Sequence, residues 1–470
     1  MKSSNTTFLY KVLLVGVVSI TLQSCFVAKD YKRPELEETQ NLFRTDQLPT
    51  DSLSMADVSW KTLFTDPLLS QYIELGLQNN IDIRIAIKQM AAAESYFKQG
   101  KAGYLPSINA NASATHQEFA KNSQFGQVFD GSLQQYEITG SLSWEADIWG
   151  KIRSSKRAYQ ASYLQSIAAH QAVKTKLISS ISITYYRLLA LDRQLAITEQ
   201  TINTREKSVE TIKALKEAGL TTQVAVDQNI AQLNNAKVLK VDIETAIFKT
   251  ENSISILLGK TPQRIERGTL ETQSIDTDMK LGVPATLLSN RPDVMAAEYQ
   301  LIQNFELTNV ARSSFYPSLT LTANGGFQSI ELDKLLNANS LFASLVSGLA
   351  QPVFNQRKIK TQYEVAKAQQ EKAVLNFKQT LLVAGGEVSD ALYAYKAETE
   401  KYRYRLNEVE ALRQAETNSE ALLNNGFANY LDLLIVRQSV LNSELNVIDS
   451  KLQQLLTVVN LYEALGGGWR

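Results

Sequence analysis

Cysteine, histidine, proline and net charge are all scarce in this 470-residue chain, and each scarcity excludes something. The single cysteine rules out an intramolecular disulfide framework. The two histidines, His116 and His170, fall in a predicted strand and near the start of a long helix, so they form no ligand pair. Five methionines, one of them the initiator, make no soft-metal cluster. Basic and acidic side chains number 48 each, which removes the basic excess of a nucleic-acid binder. No glycine-rich phosphate loop followed by lysine occurs. These absences predict a protein that is not an enzyme, with no cofactor, no metal site and no nucleic-acid partner. Apolar residues at 44% and charged residues at 20% are those of a folded chain. The nine prolines leave 107–261 and 353–470 free of proline, which predicts long helices, because interior proline breaks a helix.

The N-terminal residues read as a targeting segment. Lys2 and Lys11 accompany an apolar stretch, Val12 to Leu22, too short to span a bilayer as a mature helix. It ends at Leu22-Gln23-Ser24-Cys25, which resembles a bacterial lipobox, in which cleavage precedes the cysteine and its thiol is acylated. An ordinary signal peptide with a chance cysteine is the other reading. Phe26 stands where an aspartate commonly retains lipoproteins at the inner membrane, which favours the outer one. The expectation is a signal peptide over 1–24 and a lead-in over 25–67, anchored by acyl chains at Cys25 in outer-membrane lipid.

The chain repeats itself. Asn80-Ile81-Asp82-Ile83 aligns with Arg291-Pro292-Asp293-Val294, and Tyr104-Leu105-Pro106-Ser107-Ile108 with Phe315-Tyr316-Pro317-Ser318-Leu319, both 211 positions apart. Further on the offset is 207, pairing Gly219-Leu220 with Gly426-Phe427 and Leu258-Gly259 with Leu465-Gly466. The predicted organisation is a first repeat over 68–262, a linker over 263–286, and a second repeat over 287–470.

Each repeat opens with a helix that a proline ends, and strands follow. Over 136–148, Tyr136, Ile138, Gly140, Leu142, Trp144, Ala146 and Ile148 share one face, and polar residues share the other. That length and two-faced pattern suit a transmembrane barrel strand, although a soluble sandwich edge would alternate too. Partner strands are predicted at about 107–116, 318–327 and 341–353, the last alternating poorly. A sheet in lipid must close, and the smallest single-chain barrels have about eight strands, so four strands predict a barrel shared among subunits.

Helices make up the larger part. Residues 151–218 contain neither glycine nor proline, and as one rod would reach about 100 Å. Ile181, Leu188, Leu195, Ile202 and Val209 recur every seven residues, and Leu381, Val388, Tyr395, Tyr402 and Val409 repeat the pattern. This stripe fits a left-handed supercoil or a generic bundle core equally.

The chain resembles the TolC-like outer-membrane efflux family, in its lipoprotein branch serving RND-type pumps, essentially from Cys25 to the C-terminus. The residues that carry the resemblance are Asp30-Tyr31-Lys32-Arg33-Pro34, then Trp60, Phe64, Asp66-Pro67 and Leu69, then Asn290-Arg291-Pro292-Asp293-Val294, and finally Tyr462-Glu463-Ala464-Leu465-Gly466-Gly467-Gly468-Trp469. The resemblance implies a mostly α fold with a small transmembrane β-barrel contribution: a homotrimer whose twelve strands continue into a helical periplasmic tunnel. It implies two partners, a periplasmic adaptor and an inner-membrane RND-type pump. It also implies that the hairpin turns face the adaptor, here Ala218, Gly219 and Leu220 in the first repeat and Asn425, Gly426 and Phe427 in the second. Plain turns would look the same.

Leu431 and Asp432 match positions where the family narrows its closed tunnel, and Ile435 stands where a second carboxylate is often found. Asp227 either lines the same constriction or lies on a solvated helix face. Gly385-Gly386 interrupts a helix that the first repeat keeps free of glycine, and is a candidate bend. The favoured function is a passive outer-membrane conduit of a tripartite efflux system for small toxic compounds. The competing readings are a conduit for protein secretion through an ABC-type exporter and a structural coiled-coil lipoprotein without a pore.

Overall fold

The computed structural model describes residues 27–34, 59–127, 132–273 and 291–469. Cys25, the targeting segment and part of the linker lie outside the described residues. In chain order the first repeat carries α1 (Trp60–Leu63), α2 (Pro67–Asn79), α3 (Ile81–Ala102), β1 (Ser107–Glu118), β2 (Ser132–Ala146), α4 (Lys151–Glu217) and α5 (Gln223–Leu257). The second carries α6 (Pro292–Ser313), β3 (Ser318–Ser329), two single 3-10 turns, β4 (Leu341–Ala350), α7 (Lys358–Asn424) and α8 (Tyr430–Ala464).

The duplication survives at the level of residue counts. Both α4 and α7 have 67 residues, α5 and α8 have 35, and α3 and α6 have 22. The same local chemistry sets the boundaries in each half. Gly219 and Gly426 sit at φ 74° and 77°, and Gly259 and Gly466 at 66° and 82°. At each of the four, two backbone bonds close the helix end, as in Leu220 N–H to Leu215 O at 2.9 Å and Gly219 N–H to Lys216 O at 3.0 Å. Helix starts are equally specified. The Asp66 carboxylate accepts from the N–H groups of Leu68 and Leu69 at 2.8 and 3.3 Å, ahead of Pro67 in the first turn. Asn80 ends α2 and begins α3: its Oδ1 accepts from Asp82 and Ile83, while its Nδ2 donates to Leu257 O at 2.9 Å.

The chain folds as two compact units. One comprises the described residues 27–34 with Ala91–Gln165 and Ala297–Phe377, and it holds the sheet. The sheet order is β1-β2-β3-β4, antiparallel throughout. Its register sets each lateral row on one face. Ile108, Leu142, Ala323 and Leu345 form one lateral row, and the adjacent row on the other face is Asn109, Ser141, Asn324 and Ser344. Among the described residues, β1 and β4 each have a partner on one side only.

The other unit comprises Ser166–Ala296, Lys378–Arg470 and Leu36–Met90 so far as they are described. Its core joins Trp60, Phe64, Leu69 and Ile73 of the lead-in helices to Ile178, Ile181, Tyr185 and Leu188 of α4, Val388 and Leu392 of α7, and Leu455, Val459 and Tyr462 of α8. The seven-residue stripe falls on this buried side: Ile181, Leu188, Ile202, Val209, Leu381, Val388 and Val409 are buried, and Leu195, Tyr395 and Tyr402 are half-buried. Burying each such side chain contributes roughly 1.5–3 kcal/mol.

Two strand ends differ from the sequence expectation. β2 starts at Ser132 and ends at Ala146, so Ile148 lies beyond it. The reason is Asp147, whose carboxylate accepts from the N–H groups of Ile152 and Arg153 at 2.8 and 2.9 Å and so opens α4 instead of continuing the strand. β4 ends at Ala350, short of Pro352, which has no N–H to give a ladder. The candidate bend at Gly385-Gly386 lies within α7, which runs on through it, with Gly385 buried and Gly386 exposed.

Candidate functional site

The predicted tip residues, Ala218, Gly219, Leu220, Asn425, Gly426 and Phe427, are all exposed and occupy the two α4–α5 and α7–α8 turns. Leu220 is 75% exposed and Phe427 82%, so two apolar side chains are presented to solvent where polar ones would serve a plain turn. An exposed apolar file continues down the first turns of α8 through Leu431 and Ile435, four residues apart, and Val224 is exposed in the first turn of α5.

The two hairpins are tied together. Tyr430 Oη donates to Asn229 Oδ1 at 2.9 Å, joining the first turn of α8 to the second turn of α5. Farther along, Arg205 of α4 donates to Gln438 Oε1 of α8 at 2.7 Å and to the carbonyl of Gln232 on α5. Arg437 of α8 reaches back to Ser208 Oγ of α4 at 2.9 Å and pairs with Glu416 and Glu420 of α7 at 3.1 and 3.4 Å. Arg205 is buried, and that burial lowers its pKa. Neither arginine stood out in the sequence, since each sits in a helix rich in other charges.

The predicted constriction residues have definite local roles. Asp432 is the third residue of α8 and completes a capping box with Asn429, so its charge also lies at the positive end of the helix. Asp227 is exposed and accepts from Gln223 Nε2 at 2.8 Å, one turn back on α5. Leu431 and Ile435 are exposed at 45% and 58%. The first repeat has Val224-Ala225 where the second has Leu431-Asp432, and its cap is the lone Thr222 hydroxyl at 3.3 Å from Ala225 N.

In the unit that holds the sheet, residues 27–34 lie along α6, antiparallel to it. Asn309 Oδ1 accepts from Lys29 N–H at 3.2 Å while its Nδ2 donates to Lys29 O at 2.9 Å, and Arg312 donates to Val27 O at 3.3 Å. The Tyr31 ring meets Phe305 edge-on at 5.6 Å, and Arg33 pairs with Glu298 at 3.2 Å. Burial pushes Tyr31 up to about 12, with Glu298 adding to the shift. The end of this segment nearest Cys25 therefore lies at the β3 end of α6. Ala28 also abuts Gly150, where an added Cβ would come within 2.9 Å of it.

Aromatic side chains mark that same end of the sheet. Trp149 stacks on Tyr316 at 4.9 Å and donates to Pro317 O at 2.8 Å, while Trp144 donates to Tyr104 O at 3.0 Å. Such a band is what a membrane barrel places at a bilayer surface. Among the described residues no helix is long and apolar enough to cross a membrane, and no group of three metal-ligating side chains gathers.

The family model for outer membrane efflux proteins matches residues 72–260 and 283–467, one match on each repeat. The toluene efflux pump outer membrane protein TtgC of Pseudomonas putida is 28% identical over 97% of this chain and 95% of its own length. The probable outer membrane lipoprotein SilC of Salmonella typhimurium is 26% identical over 98% and 99%. A crystal structure of a membrane protein from Pseudomonas aeruginosa superposes with TM-score 0.85 at 26% identity, covering 95% of this chain and 98% of that one. With both repeats matched and the helical and sheet elements in the same arrangement, this chain belongs to the outer membrane efflux protein family.

Proposed function

We propose that three copies of this chain form the outer-membrane duct of a tripartite efflux system, passing small toxic compounds outward from an inner-membrane RND-type pump through a periplasmic adaptor. The observation that carries the reading is the four-stranded sheet, whose first three strands set mostly apolar side chains on one face and polar ones on the other, with both edges open among the described residues. An open edge in hydrocarbon leaves backbone groups unpaired at several kcal/mol each, so the sheet needs neighbours, and three copies supply twelve strands. The relatives' names, a toluene efflux component and a lipoprotein, support the cargo class and the anchor.

In this reading Cys25 carries the acyl chains, and the docking of residues 27–34 on α6 sets where they enter the membrane. The exposed apolar tips at Leu220 and Phe427 meet the adaptor. Leu431, Asp432 and Ile435 form the constriction, each contributing one residue per chain to a ring, with Asp227 beside it; the Asp432 ring favours cations and the Leu431 and Ile435 rings resist wetting. Conductance of the purified chain in a planar bilayer is the test. A trimer that carries no current, even as Asp432→Ala, would overturn the duct. Palmitate labelling that persists in Cys25→Ser would overturn the anchor.

A further inference from the structure

The two long helices start against the usual charge rule. A helix begins at the positive end of its dipole, where carboxylates are favourable and cations are not. α3, α6 and α8 follow the rule, with Asp82, Asp293 and Asp432 in the first turn. α4 and α7 have no acidic residue there. α4 instead carries Lys151, Arg153, Lys156 and Arg157 at its start, and has no carboxylate of its own before Asp192. Lys358 and Lys360 open α7, directly behind Arg357. Both helices leave the sheet at one end: Ala146 of β2 pairs with Leu319, and Ala350 of β4 with Ser318. The cations therefore gather at one level, beside the stacked rings of Trp149 and Tyr316.

Their contacts divide them by side. Lys151 Nζ donates to both oxygens of Glu145 at 3.0 and 3.1 Å, and Glu145 shares the polar face of β2 with Ser141 and Ser143. Arg153 lies two residues on, about 200° around the helix. Its Nη2 and the Ala28 Cβ would lie 2.8 and 2.9 Å from a Cβ placed on Gly150. Ala28 is three residues from Cys25, a reach of about 10 Å at most, so Arg153 sits where the proposed acyl chains enter the bilayer. The repeat offset of 207 puts Lys360 at the position of Arg153, and Lys358 at that of Lys151. Arg157 pairs with Asp30 and Glu306 at 3.3 and 3.6 Å. Lys29, Arg153 and Lys360 are exposed, and among the described residues none of the three has a carboxylate partner.

We infer that Lys29, Arg153 and Lys360 bind the phosphate groups of anionic phospholipid in the leaflet that receives the acyl anchor, an inference that rests on the anchored three-chain duct. Position selects lipid over other anions. The anchor holds these cations at the membrane surface, and the Trp149 and Tyr316 rings beside them suit the same level. An anionic surface there raises lipid retention about fivefold for each cation. That gain offsets the unfavourable place of Arg153 and Lys360, each the third residue of its helix. In α4 the Asp147 carboxylate caps the helix and eases the conflict, whereas α7 has Phe354 at the matching position. The start of α7 therefore depends more on an outside anion.

Native mass spectrometry of the delipidated, conducting trimer tests this, with phosphatidylglycerol and phosphatidylcholine offered in equal amounts. The trimer is expected to keep phosphatidylglycerol at least about tenfold over phosphatidylcholine. In Lys29→Gln/Arg153→Gln/Lys360→Gln the preference falls to about twofold or less. Lys207→Gln/Lys213→Gln/Lys216→Gln removes the same charge from exposed positions near the other end of α4, and keeps the preference. Glycerol phosphate in large excess leaves the bound lipid in place. Equal retention of the two lipids, a preference that both triple variants keep or both lose, or displacement by glycerol phosphate overturns the lipid surface alone. If the first triple variant does not assemble, Arg153→Gln and Lys360→Gln are read singly, and an unchanged preference in both overturns it as well. A chain without conductance overturns the duct, and this surface with it.

Discussion

Asn429 and Asp432 hold each other: Asn429 Oδ1 accepts from the backbone N–H of Asp432 at 3.0 Å, and Asp432 Oδ2 accepts from the backbone N–H of Asn429 at 3.2 Å. The carboxylate proposed to ring the constriction is thus also a structural cap. Alanine there removes two things at once, so the informative substitution is Asp432→Asn, whose amide oxygen still accepts at the cap. Both variants are expected to lose cation preference, read as a shift of the reversal potential in a salt gradient toward zero. Only Asp432→Ala also loses stability, by about 0.5–2 kcal/mol. Unchanged selectivity in Asp432→Asn would remove the residue from the constriction.

The helix-ending glycines separate backbone strain from crowding. At Gly219 and Gly426 an added Cβ meets nothing within 4 Å, so alanine costs only the left-handed backbone, about 1–2 kcal/mol. At Gly259 the same Cβ would lie 2.5 Å from the backbone oxygen of Asn79, where the end of α2 meets the end of α5. Gly259→Ala is therefore expected to lower the thermal midpoint in circular dichroism clearly more than Gly219→Ala. Equal shifts would mean that Asn79 yields at no cost.

Much of this architecture could be read from residue order because its signals are local and doubled. Proline-free runs bounded by Gly219, Gly259, Gly426 and Gly466 located the long helices, and alternation around Leu142 located a strand. The lower contrast of β4 hid its end, since Pro352 acts through a missing N–H and not through hydrophobicity. Asp147 fits the strand alternation, and only the helix behind it engages its carboxylate. The links from Arg205 to Gln438 and from Arg437 to Ser208 span 233 and 229 positions, and no local pattern encodes a contact of that separation.

Those links imply that the two hairpins resist being moved apart. Removing Arg205 deletes its bonds to Gln438 Oε1 and to the Gln232 carbonyl, and removing Arg437 leaves Glu416 and Glu420 facing each other without a cation. Each loss is expected to cost about 1–3 kcal/mol. If the hairpins must separate for the constriction to widen, Arg205→Gln with Arg437→Gln opens more often than wild type in single-channel records. A stable double variant with unaltered open time would show that separation is not part of opening.

Alkaline pH probes the core through its tyrosines. Burial raises the pKa of Tyr185 and Tyr186 strongly, and lifts Tyr31 and Tyr462 to about 12 from the ordinary 10.0. Each raised group favours its protonated form in the folded chain. Its contribution is fully present below about pH 10 and is lost as pH climbs from there toward the folded value. The loss approaches 1.4 kcal/mol per pH unit for each group while the unfolded tyrosine ionises and the folded one does not. Thermal midpoints should hold level from pH 7 to about 9.5 and fall steeply beyond. Tyr185→Phe starts lower, because it forfeits the bond from Tyr185 Oη to Asp66 at 2.9 Å and the bond Oη accepts from Gly268 N–H. Its decline above pH 10 should nevertheless be shallower than that of the parent chain, since one ionising group has gone. A parallel decline in the two proteins would show that Tyr185 keeps its ordinary pKa despite its burial.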